Sequence, residues 1–445
     1  MSAWAMKYIR AGNGNRQETG MRVFIGLTEI AGYYSNLKKG FDDLGVECNF
    51  ISLEEHPFQY ERGDGLDEHT PIKKLIRRYH LNRENRLYAL MIKLLIFLWA
   101  LVGHDVFIFG FGSSFSFNFY DLPLLKLFGK KIIFIFNGSD SRPPYINGGF
   151  WAAGMSTDSC IRVTAEQKER IRKIDKYADI LINYPPQAYF HERPFVLGLA
   201  VGFPFKYGSP GSDELRPRED GRIRILHAPS HPVAKGSDTI RKMIENLRKK
   251  GYPLDFIEIT NVPHRKVIEE IRRCDFIVDQ LYSDTPLPGF ATEASYFGKP
   301  AVLGGYYHET LHEDVPPEHI PPGLYCHPDA MEETVEKLIV DEEYRREMGR
   351  KAKEYVRENL APAKVAARYL RLIRGDVPES WYYDPQNISY LHGCGLSESH
   401  AREVLREVIA AGGPEALQLI DKPGLLQRFT EFASGEGGQD DQKIF

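Results

Sequence analysis

The sequence predicts an α/β protein built from two doubly wound domains that face a cleft, followed by a helical appendage. Three observations carry this expectation. The chain has 445 residues, too many for one ordinary domain. Short apolar runs alternate with helix-like stretches, the pattern of a parallel sheet covered on both faces. The alternation halts near the Gly- and Pro-containing stretch Gly202–Arg218 and then starts again. A composition of 42% hydrophobic and 27% charged residues is that of a globular chain, and it excludes disordered, collagen-like and coiled-coil classes.

Residues 1–20 are polar and lack an apolar core, so they predict a flexible leader rather than a secretory signal. Met21–Leu27 reads as the first strand and runs into a turn bounded by Gly26 and Gly32. Tyr34–Leu44 is a helix that ends at Gly45, and Val46–Leu53 is the second strand. Ile72–Arg86 predicts a basic, partly amphipathic helix, with Lys73, Lys74, Arg77, Arg78, Arg83 and Arg86 among Leu75, Ile76 and Leu81. Such a helix is a candidate for peripheral contact with anionic lipid. Leu87–Val102 is apolar apart from Lys93 but falls short of the roughly 20 residues that span a bilayer, and it predicts a buried helix. The strand Asp105–Gly112, the helix Leu122–Phe128 and the strands Lys131–Phe136 and Asp179–Asn183 complete a first domain over 21–205.

The second domain, 206–375, repeats the logic. Strands are predicted at Arg222–Ala228, Leu254–Asn261, Phe276–Leu281 and Pro300–Gly304. Helices are predicted at Asp238–Lys250, Lys266–Arg273, Ala291–Gly298, Met331–Val340 and Glu342–Glu358. The extension 376–445 carries helices at Ser397–Ala411 and Glu415–Ala433, separated by Gly412, Gly413 and Pro414, and frays over Gly435–Gln442. It is expected either to pack back on the body or to form a subunit contact, which makes it the candidate surface for homo-oligomer formation.

Net charge is -4, but it is unevenly placed: residues 1–210 carry five more basic than acidic side chains, and the remainder carries nine more acidic than basic. The overall acidic balance argues against nucleic acid as a partner. Cys48, Cys160, Cys274, Cys326 and Cys394 are odd in number and form no CxxC pair, which predicts reduced thiols in the cytoplasm. The sequence holds no GxSxG elbow, no Walker A loop and no HExxH motif.

Three loops of the second half are placed for chemistry at the ends of strands. His227 to Ser237 includes Ser230, Lys235 and Gly236 just before a helix, which brings an ammonium group and helix-start amides together for a diphosphate. Val262, Pro263 and His264 form a stiff loop that suits a flat base. Thr285 to Pro300 contains Gly289, Phe290, Ala291 and Thr292 at a helix start and Glu293 in its first turn, where a carboxylate can accept from a sugar hydroxyl.

Taken in order, HAPSHPVAKGS, ITNVPH and CDFIVDQLYSDTPLPGFATEASYFGKPAV resemble the C-terminal half of retaining, family-4-like glycosyltransferases of the GT-B fold, each half of which is a Rossmann-like domain. DLPLLKLFGKKIIFIFNGSDSRP and KYADILINYP are similar, more loosely, to the acceptor half. The resemblance covers about residues 21–375 and is strongest over 222–305. It implies transfer of a sugar from a nucleotide-sugar to a glycan, lipid-linked or small-molecule acceptor, with retention of configuration, no metal and no further cofactor. It also implies that Lys235 neutralises the diphosphate, that Glu293 binds the ribose, and that Gly289 to Thr292 supply amides. Ser230, Gly236, Val262, Pro263 and His264 fall on donor-binding loops, and Gly26 approaches the diphosphate from the other domain. Asn137, Asp140 and Arg142 fall on the acceptor side, with Asp140, Lys235 and Glu293 as the catalytic candidates.

Three positions depart from the family pattern. Thr285 stands where the first glutamate of E-x7-E is expected, with Asp284 next to it; Ser230 replaces an arginine, with His227 and His231 nearby; Asn137 replaces a histidine. These losses motivate an alternative: a catalytically impaired GT-B protein that binds nucleotide-sugars or serves as an assembly subunit.

Overall fold

The computed structural model describes residues 20–53, 70–206 and 221–435. The leader before residue 20, most of the Gly202–Arg218 connection and the end beyond Gly435 lie outside them. In chain order the strands of the first sheet are β1 (Arg22–Leu27), β2 (Glu47–Ser52), β3 (Val106–Gly110), β4 (Lys131–Ile135), β5 (Ile180–Asn183) and β6 (Phe195–Leu197). Those of the second are β7 (Ile223–His227), β8 (Leu254–Glu258), β9 (Phe276–Val278), β10 (Ala301–Gly304) and β11 (Leu324–Cys326). A last short strand, β12 (Tyr382–Tyr383), returns to the first sheet and pairs antiparallel with β6.

Strand order is β12-β6-β5-β4-β3-β1-β2 in one sheet and β11-β10-β9-β7-β8 in the other, and every other pairing is parallel. The order reverses beside β1 in the first sheet and beside β7 in the second. Ligands of open α/β sheets bind at such reversals, beyond the carboxyl ends of the strands. The near-continuous apolar runs follow from burial on both faces: Phe24, Phe107, Phe109, Phe134 and Phe136 are fully buried.

The longer helices are α1 (Tyr33–Asp43), α2 (Pro71–Asn82), α3 (Arg86–Gly103), α4 (Asp121–Leu127), α5 (Thr157–Tyr177), α6 (Ser237–Lys249), α7 (His264–Arg273), α8 (Gly289–Tyr296), α9 (Met331–Val340), α10 (Glu342–Asn359), α11 (Pro362–Arg374), α12 (Glu398–Gly412) and α13 (Pro423–Ser434). Helix α11 leaves the second domain and packs on α1 of the first. The approach is close enough that a Cβ at Gly40 would lie 2.1 Å from the Pro362 carbonyl oxygen, and Tyr33 and Tyr369 join their hydroxyls at 2.8 Å.

The extension lies on the first domain. Phe429 is buried against Tyr145 and Tyr189, the Tyr145 hydroxyl donates to the Leu417 carbonyl, and Lys422 Nζ donates to the His191 carbonyl. Its apolar side is therefore used within the chain. Among its described residues Tyr382 and Ile420 are the large apolar side chains left exposed.

Several expectations need correction. The helix expected over Ile72–Arg86 ends at Asn82, because Asn85 caps a new helix by accepting from the Tyr88 amide. The strand expected over Phe276–Leu281 stops at Val278, so Asp279 belongs to a turn. Glu415–Ala433 is not one helix: a short 3-10 turn, Pro414–Leu417, precedes α13, and Pro423 sits at its first position, where the missing N–H costs nothing. The Leu87–Val102 stretch is helical but only half buried. Ile92, Ile96, Phe97, Ala100 and Leu101 face the core, whereas the opposite side is open.

Candidate active site

A cavity of about 310 Å³ lies where the two strand-order reversals meet. The loop after β1 contributes Ile30 and Ala31, the loop after β7 Ser230 and Lys235, the loop after β8 Asn261, Val262 and His264, the turn after β9 Asp279, and the start of α8 Gly289, Phe290 and Glu293. Seven residues expected on the donor side (Ser230, Lys235, Val262, His264, Gly289, Phe290 and Glu293) thus meet in one space although they are up to sixty-three positions apart, between Ser230 and Glu293.

Lys235 closes a single helical turn, Pro232–Lys235, and Gly236 joins it to α6 in a left-handed conformation with φ 73°. A side chain there would be strained and would meet Leu281 at 2.7 Å, so glycine sets the path of the loop. Gly236 and Pro263 shape this site without lining it. Lys235 Nζ reaches Asp279 Oδ1 at 3.1 Å, and the other Asp279 oxygen is buried without a hydrogen-bond partner. The ammonium group is held at the cavity by a carboxylate that the sequence pattern missed. Asp279 could have been found by ending the preceding apolar run at Val278, since residues just past a strand at a reversal point into the cleft.

Glu293 is buried in the first turns of α8, and His264 Nε2 meets its Oε1 at 2.7 Å. The loop after β8 and the carboxylate of α8 are therefore joined directly across the cavity wall. Pro288 precedes α8, and the first intrahelical bond runs from the Thr292 amide to the Pro288 carbonyl. The amides of Gly289, Phe290 and Ala291 come before that bond, whereas Thr292 is spent: its amide and its hydroxyl both go to Pro288. Ala291 and Thr292 are buried and do not line the cavity.

The first domain departs from expectation in a definite way. Gly26 sits within β1, with Ile51 and the Phe24 ring against its Cα, so it cannot approach a ligand. Ile30 and Ala31 stand at the cavity instead. The start of α1 is not an open anion site either. Glu29 accepts there from the amides of Tyr34 at 3.2 Å and Ser35 at 2.9 Å, and burial holds its carboxyl above the usual range. The chain's own carboxylate occupies the place a phosphate would take.

Asn137, Asp140 and Arg142 follow β4 and lie outside the 310 Å³ cavity. The Asn137 amide donates to Asp140 Oδ1 at 3.0 Å, and its side chain donates to the Tyr34 hydroxyl. Burial pushes Asp140 up to about 6, and its Oδ2 has no hydrogen-bond partner. Arg142 is turned to the second domain, where its Nε donates to Asp284 Oδ2 at 2.8 Å; Gln187 donates to the same oxygen. Asp284 is thereby fixed between the domains and does not replace the missing glutamate in the cavity. His227 does not replace the missing arginine: it is buried, bonded to Val278 and Ser237, and its pKa is lowered by burial, which keeps it neutral. Among the described residues no group of three or more His, Cys, Asp and Glu side chains converges for a metal ion.

No family model matches this chain, and no curated protein is significantly similar to it. Solved structures similar to it include the glycosyltransferase SnogD from Streptomyces nogalater, at 15% identity and TM-score 0.37, covering 80% of this chain and 100% of that one. HepE of Anabaena in complex with UDP-glucose is similar at 10% identity and TM-score 0.44, over 80% and 99%. The catalytic domain of starch synthase IV from Arabidopsis thaliana, bound to ADP and acarbose, is similar at 12% and 0.46, over 80% and 99%. Two doubly wound sheets around a cleft, with a C-terminal helix crossing back to the first, give this chain the GT-B architecture.

Proposed function

We propose that the chain transfers a sugar from a nucleotide-sugar to a glycan, lipid-linked or small-molecule acceptor, with retained configuration and no metal, at the cytoplasmic side. One observation carries this reading: Lys235, the leading amides of α8 and the His264–Glu293 pair line a single cavity at both reversal points. Lys235 and the α8 amides stabilise the diphosphate as it leaves, which is the step where fixed charge contributes most. Glu293 accepts from the ribose, and His264 sits beside the base. The leaving phosphate takes the proton of the attacking hydroxyl, so no separate protein base is required.

The test uses slow hydrolysis of the donor, which needs no knowledge of the acceptor. The chain is incubated with common nucleotide-sugars, released nucleoside diphosphate is measured, and the anomer of the freed sugar is read by NMR. The expected result is release from one donor class with the anomeric configuration kept. Inversion would contradict the proposed mechanism. Binding of the donor without any release would favour a catalytically impaired, nucleotide-sugar-binding protein, a reading that the locking of Asp284 by Arg142 supports.

A further inference from the structure

Apart from Arg86 at its start and Lys93, helix α3 is apolar on its outer as well as its inner side, yet only the inner side packs on the core. Leu87, Leu90, Met91, Leu94, Leu95, Leu98 and Val102 are between 43% and 81% exposed. Steps of three and four residues put them on one continuous face. A core helix of a water-soluble protein is polar on its outer side, and this one is not.

The apolar face is enlarged by its neighbour. The crossovers β2→α3→β3 and β3→α4→β4 step in the same direction along the sheet, and right-handed connections put both helices on one side of it. Phe97 of α3 meets Phe115, just before α4, with ring centroids 5.2 Å apart. From this second helix and its approach, Phe117 is 95% exposed, Leu127 78% and Phe128 60%. Soluble monomers rarely leave uncovered an apolar face as large as the one α3 presents among the described residues.

Charge identifies what covers it. Helix α2 packs beside α3 and carries Lys73, Lys74, Arg77 and Arg78, the connection adds Arg83, and α3 opens on Arg86; over residues 71–103 Glu84 is the one acidic residue. A two-fold contact between copies would bring these like charges together, which disfavours self-association through this face. A helix whose inner side is built into the core cannot leave it to cross a bilayer. It can lie flat, with its outer side at the acyl boundary and the flanking cations among headgroups.

We propose that α3, extended by α4 and flanked by the basic α2, docks the chain in the plane of an anionic lipid bilayer. The helix is about 27 Å long at 1.5 Å per residue and ends two residues before β3 starts. Its basic N-terminal end therefore stands at the carboxyl end of the sheet, the end that lines the cleft. Docking sets that mouth beside the membrane surface. The inference does not depend on the chemistry proposed for the cleft.

Flotation of the full chain with vesicles tests it. Phosphatidylcholine vesicles are compared with vesicles holding about a third phosphatidylglycerol, the order of anionic charge that attracts polybasic segments. Strong flotation with the anionic vesicles, at least about tenfold weaker with neutral ones and reduced by salt, is the expected result. The triple variant Leu90→Gln, Leu94→Gln, Leu98→Gln changes exposed positions only and should keep the parent's melting temperature while losing flotation. Arg77→Gln with Arg78→Gln should weaken binding to anionic vesicles and leave neutral ones unchanged. Absence of flotation, binding indifferent to lipid charge, or flotation unaffected by the triple variant would each overturn the proposal. So would concentration-dependent dimerisation, by light scattering, that the triple variant abolishes while lipid binding persists.

Discussion

Asp140 and Glu293 are both buried carboxylates, but their surroundings give them different work. Asp140 keeps one oxygen without a partner, and burial lifts its pKa to about 6. A folded-state pKa above the unfolded value of about 3.9 means that this group's stabilising effect is present at low pH and is lost as pH rises through about 6. The shift corresponds to roughly 3 kcal/mol at pH 7.5. Asp140→Asn keeps an acceptor for the Asn137 amide and cannot ionise. Its melting temperature relative to the parent should rise by several degrees between pH 4.5 and pH 7.5, and a constant difference would show that Asp140 is not so perturbed. Glu293 is tied to His264, so Glu293→Gln should weaken nucleoside-diphosphate binding about tenfold or more and leave inorganic phosphate affinity unchanged. Equal loss for both ligands would place the carboxylate at the phosphates instead. Lys235 and Glu293 were legible in the sequence because glycines, a proline and a helix start surround them. Asp279 was not, because an apolar run read straight through the end of its strand. The capture of Asp284 by Arg142 was invisible, since a contact between residues 142 positions apart leaves no local pattern.

At the scale of elements, the loops after β4 and β9 are joined by Arg142 and Asp284, both nearly buried. Breaking a buried pair from one side leaves an uncompensated charge and costs about 3–5 kcal/mol. Calorimetric unfolding of Arg142→Met and of Asp284→Leu should therefore show large losses, and the double variant should lose less than the two single variants together. Strict additivity would mean that the pair is not coupled. The strands and most helices were readable from period and punctuation. Their ends moved where capping decided them, as at Asn85 and Pro423. Helix α3 is the instructive failure: its composition gave the helix, but no periodicity marks which side is covered, so a half-open helix reads as a buried one.

The whole molecule is held together by elements that return. Helix α11 crosses from the second domain to α1, β12 joins the first sheet, and the extension fills the surface around Tyr145 and Tyr189. The alternation of runs foretold two doubly wound domains, but not that the tail belongs to the first, because that depends on packing across more than 200 residues. What the fold achieves is one cavity fed by loops of both domains, with a lysine held ready at its wall by Asp279. The central claim is that this cavity binds a nucleoside diphosphate through Lys235. Isothermal titration of UDP, GDP, ADP and dTDP into the parent and into Lys235→Ala tests it most directly. One base should bind the parent, and affinity should fall at least about tenfold in the variant, the scale of one lost charge-assisted hydrogen bond, with melting temperature little changed. No binding by the parent, or equal binding by the variant, would contradict it.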